Sequence, residues 1–492
     1  MSDFSCYINI KNESSVKLED GTFNKSFGKY KSEPAKVIKP NENAKFRLSD
    51  KAGPAGSTGN TKYRIAKNSG IDFYYDCPYG SKNNILYPNV KGIDLEVEYD
   101  GNNKKGYLEN IPNGYNHFVK RSGHPLSGIF IVKDCLSAGW DIINAMTIKL
   151  LNKKVKELYK NNKFPHEIDN IEISCPYFSE EKETLKINLE LKGKEIVDLS
   201  GKYSFQINLD NLKATIKEEK EKYYIFLDFN KNIIEDISTP SLIIQKLIKK
   251  ILKSIDSPIK IPLNLNIPLN INKNIIKFKF IQKNKKSFLA MLIGLNGNEG
   301  RDNISDKIIN GSDNKSIILS NLLIMNSLKV IFDKTLVKNK IFEGTEFLTV
   351  SKNTYPYELY NNKDSKATDK KCNATVKIDK YGLSSNFINY VKDSHLRILL
   401  NLRYTEVIIG VWHTFPIEIL ISFSEDNGKL KLTFDNNIGK CSGGTTCSII
   451  KKNVKKIIED FNKEFKGYYS FSNFKINYVD APSFIQISGE EK

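Results

Sequence analysis

The feature that most limits the folds open to this chain is a change of hydrophobic period. Up to about residue 135, the segments CYINIKN, AKFRLSD, TKYRIAK, IDLEVEYD and SGIFIVKD alternate or run apolar, each punctuated by Gly, Pro, Asn or Asp. Many short strands separated by turn residues over so short a stretch predict a β-sandwich. From Gly139-Trp140 onward, Ile148, Leu151, Val155, Leu158 and Tyr159 recur at three- and four-residue steps. That spacing is one face of an amphipathic helix. It divides the chain into residues 1–137 and 138–492.

The second part reads as long strands with a few helices, so the fold class is mainly β with α+β character. Thr239-Pro240 opens a helix whose apolar face is Ile244, Leu247, Ile248, Ile251, Leu252 and Ile255. The segment PIKIPLNLNIPLNI alternates but carries prolines, which cannot donate to a ladder, so an edge strand is expected. A third helix is expected over Ser316–Phe332, with Ile318, Leu322, Met325 and Phe332 on one face. A fourth is expected over Ser448–Phe465, striped by Ile450, Val454, Ile457, Ile458, Phe461 and Phe465. Its lysines could meet a membrane surface, but an amphipathic helix in a globular chain packs inward more often. No short-period repeat is visible.

Lysine and arginine outnumber acids 75 to 57, for a net charge of +18. Such a balance suits an acidic partner: anionic lipid, nucleic acid or an acidic protein. No nucleic-acid reader motif accompanies the charge, and nucleic acid is not expected as a partner. No stretch reaches the run of about 18 apolar residues that a spanning helix needs. Seven cysteines are widely scattered without a CxxC pair, which disfavours structural zinc. Free thiols are expected, with a loop disulfide between Cys441 and Cys447 as the alternative. His117, His124, His166, His395 and His413 fit no ligand spacing, and no nucleophile elbow, P-loop or dinucleotide fingerprint occurs. No catalytic residue, metal or cofactor is predicted, nor a polar cleft with two titratable groups in hydrogen-bond reach. GKCSGGTTCS reads as a turn before the last helix.

The most distinctive stretch is DFYYDCPYGSKNN, Asp72–Asn84. Its tyrosines suit a membrane interface, and they equally suit a sandwich core. Strand alternation predicts both, one face in and one face out. The candidate lipid-binding residues are Tyr74, Tyr75, Asp76, Tyr79 and Lys82.

This stretch resembles the aegerolysin signature, an aromatic-Trp-Asp-Cys-Pro-Trp-Gly-Ser segment, with Tyr75 and Tyr79 at the tryptophan positions. CYINIKNESS, VIKPNENAKFRLSDKAGPAGSTGNTKYRI and SGHPLSGIFIVKD extend the resemblance over residues 4–134. It implies a small β-sandwich that recognises sphingolipid or sterol-rich membranes, in some members with a separate pore-forming partner. Ala55 precedes Gly56-Ser57-Thr58-Gly59, where some lipid-reading members carry an acidic residue. The insert around Asp100–Asn110 is a second departure.

Residues 138–492 resemble the P-47-type clostridial toxin-cluster accessory proteins. The match lies at Gly139-Trp140-Asp141, read as opening a helix, at FLAMLIGL (Phe288–Leu295) and at SIILSNLLIMNSLKVIF (316–332). It implies an elongated TULIP-like lipid-binding fold, a long curved antiparallel sheet wrapped on helices. Whether its interior is a lined tunnel or a filled core stays open. Together the two resemblances imply a bacterial toxin or toxin accessory, not an enzyme. It would bind membrane lipids through the sandwich, and lipid or a partner toxin through the second part. The alternative is a protein–protein scaffold of a toxin complex. The start MSDFSCYINIKNESS lacks the regions of a signal peptide. A toxin of this kind would be made in the bacterial cytoplasm, released by another route and act at target-cell membranes.

Overall fold

The computed structural model describes residues 3–50, 56–66, 69–80, 84–91, 95–102, 119–121, 124–181, 184–194, 200–220, 222–228, 242–253, 259–263, 271, 273–283, 285–302, 304–309, 313–338, 348–351, 358–361, 376–379, 394–405, 412–438, 447–468, 474–480 and 484–491. It is mainly β, with four α-helices among these residues.

The first strands are β1 (Cys6–Asn12), β2 (Glu19–Phe27), β3 (Lys29–Ser32), β4 (Asn43–Ser49), β5 (Ser57–Ala66), β6 (Ser69–Cys77), β7 (Asn84–Lys91), β8 (Leu95–Asn102), β9 (Val119–Arg121) and β10 (Leu126–Asp134). They form two five-stranded sheets, β3-β4-β1-β10-β8 and β2-β5-β6-β7-β9. β6 shows why they face each other. Ile71, Phe73, Tyr75 and Cys77 are buried, while Asp72, Tyr74 and Asp76 between them are half-buried on the outer face. Phe73 meets Phe130 of the opposite sheet with ring centroids 4.7 Å apart. β1 and β10 run parallel, Cys6 beside Leu126 and Asn12 beside Val132. One end of the sandwich therefore holds the starts of β1 and β10, and the other end holds Asp134.

The chain then enters a second set of sheets. Their centre is six strands in the order Ile275–Lys283, Lys286–Gly294, Ile142–Thr147, Lys315–Ser320, Phe484–Glu491, Phe474–Asp480. The two inner strands are antiparallel, with Ile142 opposite Leu319 and Met146 opposite Lys315. Each feeds a helix: α1 (Ile148–Lys160) after the first, and α3 (Asn321–Lys338) after the second. Each helix is capped by the last residue of its strand. Thr147 Oγ1 accepts from the Leu150 N–H at 3.2 Å, and Ser320 Oγ from the Leu323 N–H at 3.1 Å. Each inner strand is flanked by a hairpin from its own half of the chain. The central sheet thus has an approximate two-fold arrangement, a repeat of topology at a period far longer than those sought in the sequence.

Two sequence expectations are corrected here. Gly139-Trp140-Asp141 opens the strand Ile142–Thr147, not a helix, and the helix starts only at Ile148. The third helix begins at Asn321, because Lys315–Ser320 is a strand. Both strands are buried along their whole length, and such runs carry no period-2 signal to set them apart from helix.

Lateral sheets and helices complete the body. On the first side lie α1, α2 (Leu242–Lys253) and the three strands Lys213–Glu219, Lys222–Asp228 and Ile259–Pro262. Ile259–Pro262 is an edge strand, a position that suits Pro262. Thr239-Pro240 and residues 264–270 lie outside the described residues. On the second side, six antiparallel strands from Leu348–Ser351 to Lys429–Ile438 accompany α3 and α4 (Cys447–Tyr468). The α4 stripe is buried as its spacing predicts, at Val454, Ile457, Ile458, Phe461 and Phe465. Phe461 stacks on Phe332 of α3 at 4.4 Å, and Phe465 packs against Phe423 and Phe434 of the sheet. No helix among the described residues is long and apolar enough to cross a membrane.

Candidate functional site

The site is built where β6 ends. Cys77 is the last strand residue, and Pro78, Tyr79 and Gly80 (φ 83°) turn the chain away. Gly56 lies under this turn: a Cβ there would come within 2.4 Å of the Cys77 carbonyl oxygen, so no larger residue fits. The Phe4 ring packs against Tyr79 at 4.8 Å and against His124 at 4.1 Å. His124 Nε2 lies 2.7 Å from the Gly80 carbonyl oxygen, so this nitrogen carries the proton and donates. Nδ1 is then the acceptor for the Cys77 thiol at 3.3 Å. The Ser57 hydroxyl donates to the Phe4 carbonyl. These contacts hold the turn while leaving Tyr79 48% exposed.

Phe27, at the end of β2, is 54% exposed. It pairs with Thr58, and Thr58 pairs with Asp76, so Phe27 and Tyr79 share one end of the sandwich. That end is the one opposite Asp134.

The sequence-predicted residues separate into three groups. Tyr79 lies at the exposed tip. Tyr74 and Asp76 point out from the sheet face: Tyr74 stacks on Tyr87 at 4.8 Å, and Asp76 accepts from the Thr58 hydroxyl at 2.6 Å. Tyr75 corrects the expectation of a surface aromatic. It is fully buried, edge-on to Phe46, with its hydroxyl 2.6 Å from that of Tyr30 and 2.9 Å from that of Thr61. Strand alternation sends it inward with Phe73 and Cys77. Lys82 lies outside the described residues, as do Cys372, Cys441 and most of the insert after Asp100. Phe4, Phe27 and His124 escaped sequence reasoning. The signal for Phe27 was local: a large apolar residue directly before Gly28, which holds φ 98° at a tight strand turn.

Burial, ahead of nearby charge, pushes the Cys77 thiol up to about 12 and the Tyr63 and Tyr75 phenols well above their usual range. The Cys6 thiol is raised by burial and then by Cys77. In each case the folded state holds its proton more tightly than the unfolded chain. The stability they contribute is intact below the unfolded values of about 8.5 for Cys and 10 for Tyr, and is lost as pH rises toward the folded values. Urea unfolding at pH 8, 9, 10 and 11 should therefore show the sandwich weakening steadily above pH 9. A flat profile would mean that these groups are solvated. Among the described residues, Cys6, Cys77, Cys135 and Cys175 are not joined in disulfides.

The body has a polar cleft of about 730 Å³ between the end of α1 and the neighbouring strands, lined by Tyr159, His166, Glu167, Glu172, Glu190 and Lys192 among others. Titratable groups thus line a polar cleft, whereas the hydrogen-bonded pair at it, Glu167 with Lys194, includes a residue outside the lining. Two of its acids are paired: Lys194 bonds Glu167 at 2.7 Å and lies 3.8 Å from Glu172. His166 stacks on Tyr159 at 3.9 Å and bonds its carbonyl. Exposed pairs of this kind are solvated and contribute little. Among the described residues, no three metal-ligating side chains cluster.

No protein-family model matches the chain, and no curated protein matches it. Solved structures do. P47 from Clostridium botulinum A2 is similar over 72% of this chain and 98% of its own, at 14% identity and a TM-score of 0.35. P47 of Clostridium botulinum E1 is similar over 72% and 99%, at 14% identity and a TM-score of 0.38. A lipopolysaccharide binding protein is similar over 72% and 98%, at 8% identity and a TM-score of 0.24. P47 proteins are thus among the structural neighbours, and none of these three is an aegerolysin.

Proposed function

We propose that the protein docks on a lipid surface through the tip of the sandwich, with Tyr79 and Phe27 entering the interface. The observation that carries this reading is the exposure of both rings together at the end farthest from the body. An aromatic ring suits that position, and a tyrosine adds a hydroxyl that stays in the headgroup layer. Burying the exposed half of each ring contributes about 1–2 kcal/mol. The net charge of +18 adds a general attraction to anionic lipid. Docking is therefore reversible and salt-sensitive, and the surface is sphingolipid-containing, sterol-rich or anionic. Residues 1–137 are the docking part in this reading. Residues 138–492 hold a second lipid or a toxin partner delivered to the same membrane, and the protein acts by binding, without catalysis.

Liposome co-sedimentation tests the proposal, with neutral, anionic and sphingolipid- or sterol-containing vesicles at low and high salt. A Phe27→Ala/Tyr79→Ala variant should lose at least about tenfold in affinity, the equivalent of 1.4 kcal/mol. Tyr74→Ala, which alters only the sheet face, should bind like the unmodified chain. Equal binding by the double variant would refute docking by the tip. No binding to any vesicle would favour a protein–protein scaffold instead.

A further inference from the structure

The passage from the sandwich to the body, Cys135–Asp141, is built unlike a linker. Interdomain linkers are exposed, polar and mobile. Here Cys135, Ser137, Ala138, Trp140 and Asp141 are all buried. Ala138 (φ 49°) and Gly139 (φ 90°) make a left-handed turn, closed by N–H bonds from Ala138 to Cys135 and from Trp140 to Ser137. The turn is fastened from the body by one segment, residues 298–301. Arg301 donates its backbone N–H to the Ala138 carbonyl at 2.8 Å and accepts the Trp140 indole N–H at 3.0 Å. Gly300 lies so close to Trp140 that a Cβ would sit 2.4 Å from the ring. Asn298 donates to the Gly139 carbonyl and to the Asp141 carboxylate.

The same arginine reaches the sandwich. Its guanidinium donates to Asp134 Oδ1 at 2.6 Å, and this carboxylate also accepts the N–H and hydroxyl of Ser15, just beyond β1. Arg301 therefore ties together the ends of the two parallel strands β1 and β10 and the turn that leaves them. A charge-assisted bond to a carboxylate fixed by two further donors has a defined direction, unlike an isolated surface pair.

We infer that Arg301 is a positioning residue that locks the sandwich at one angle to the body, so the chain meets its docking surface as a rigid lever. The tip then stands a strand length, about 30 Å, from the joint, and the body is held at a fixed distance from the surface. The functional meaning rests on docking by the tip, whereas the rigidity does not.

The test uses the full chain and Arg301→Ala, with Asp134→Ala as a second variant that breaks the same bond from the sandwich side. Small-angle X-ray scattering of the unmodified chain should fit one conformation. Both variants should keep the circular dichroism of the folded chain but need an ensemble of sandwich orientations. On vesicles that the chain binds, energy transfer from a dye on the body to labelled lipid should report one distance for the unmodified chain and a broadened distribution for Arg301→Ala, at unchanged affinity. An unmodified chain that already needs an ensemble, or variants as rigid as it is, would overturn the inference. If no vesicle is bound, docking fails, and the scattering still decides rigidity.

Discussion

Tyr75→Ala is expected to unfold the sandwich, not to remove a docking side chain. Tyr75 is fully buried between the two sheets. Truncating a buried aromatic costs about 3–5 kcal/mol in lost transfer energy and cavity. The hydroxyls of Tyr30 and Thr61 would also lose a partner, at a further cost of about 1 kcal/mol or more for a buried group. Since a domain has only about 5–15 kcal/mol in hand, that loss removes most of its stability. Denaturant unfolding followed by circular dichroism should show the early transition. Tyr75→Phe, which keeps the ring, should cost about 1 kcal/mol. If Tyr75→Ala left stability within about 0.5 kcal/mol, the range of an ordinary surface change, the ring would have to be at the surface after all.

The second large effect belongs to the body. Phe461→Ala should cost about 3–5 kcal/mol and act on residues 138–492 alone. Phe461 joins α4 to α3 through Phe332 at 4.4 Å, and it neighbours Phe465, which carries the contact on to Phe423 and Phe434. Removing it separates the two helices from the sheet that accompanies them. Hydrogen exchange should show α3, α4 and Trp412–Asp426 opening earlier, with the sandwich unchanged. Uniform loss of protection across both parts would mean that the chain unfolds as one unit.

The sequence showed some of this and concealed the rest for identifiable reasons. The α1 and α4 stripes were legible because one face of each helix is solvated, so their period survives. The strands Ile142–Thr147 and Lys315–Ser320 were read as helical because both of their faces are covered. β6 was legible as a strand, but alternation alone left open which tyrosines face out. The choice between Tyr74 and Tyr75 depends on which sheet lies opposite, and that is a long-range fact. Phe27 and Tyr79 lie about fifty residues apart, and only the registers of β2, β5 and β6 bring them to one tip. The joint at Arg301 was equally hidden, because its partner Asp134 lies 167 residues away in the chain.

The two-fold arrangement of the central sheet also orders events during synthesis. The strand Ile142–Thr147 can gain its flanking hairpin as soon as residue 294 has left the ribosome. Lys315–Ser320 then adds to the free side of that nascent sheet. Its own outer edge must wait for Phe484–Glu491, about 10–30 s later at ordinary elongation rates. During that interval a strand destined to be buried along its whole length offers unpaired N–H and C=O groups to any neighbour. Nascent chains on adjacent ribosomes can meet through this edge, so the wait for the last strand is a window for misassembly as well as for folding.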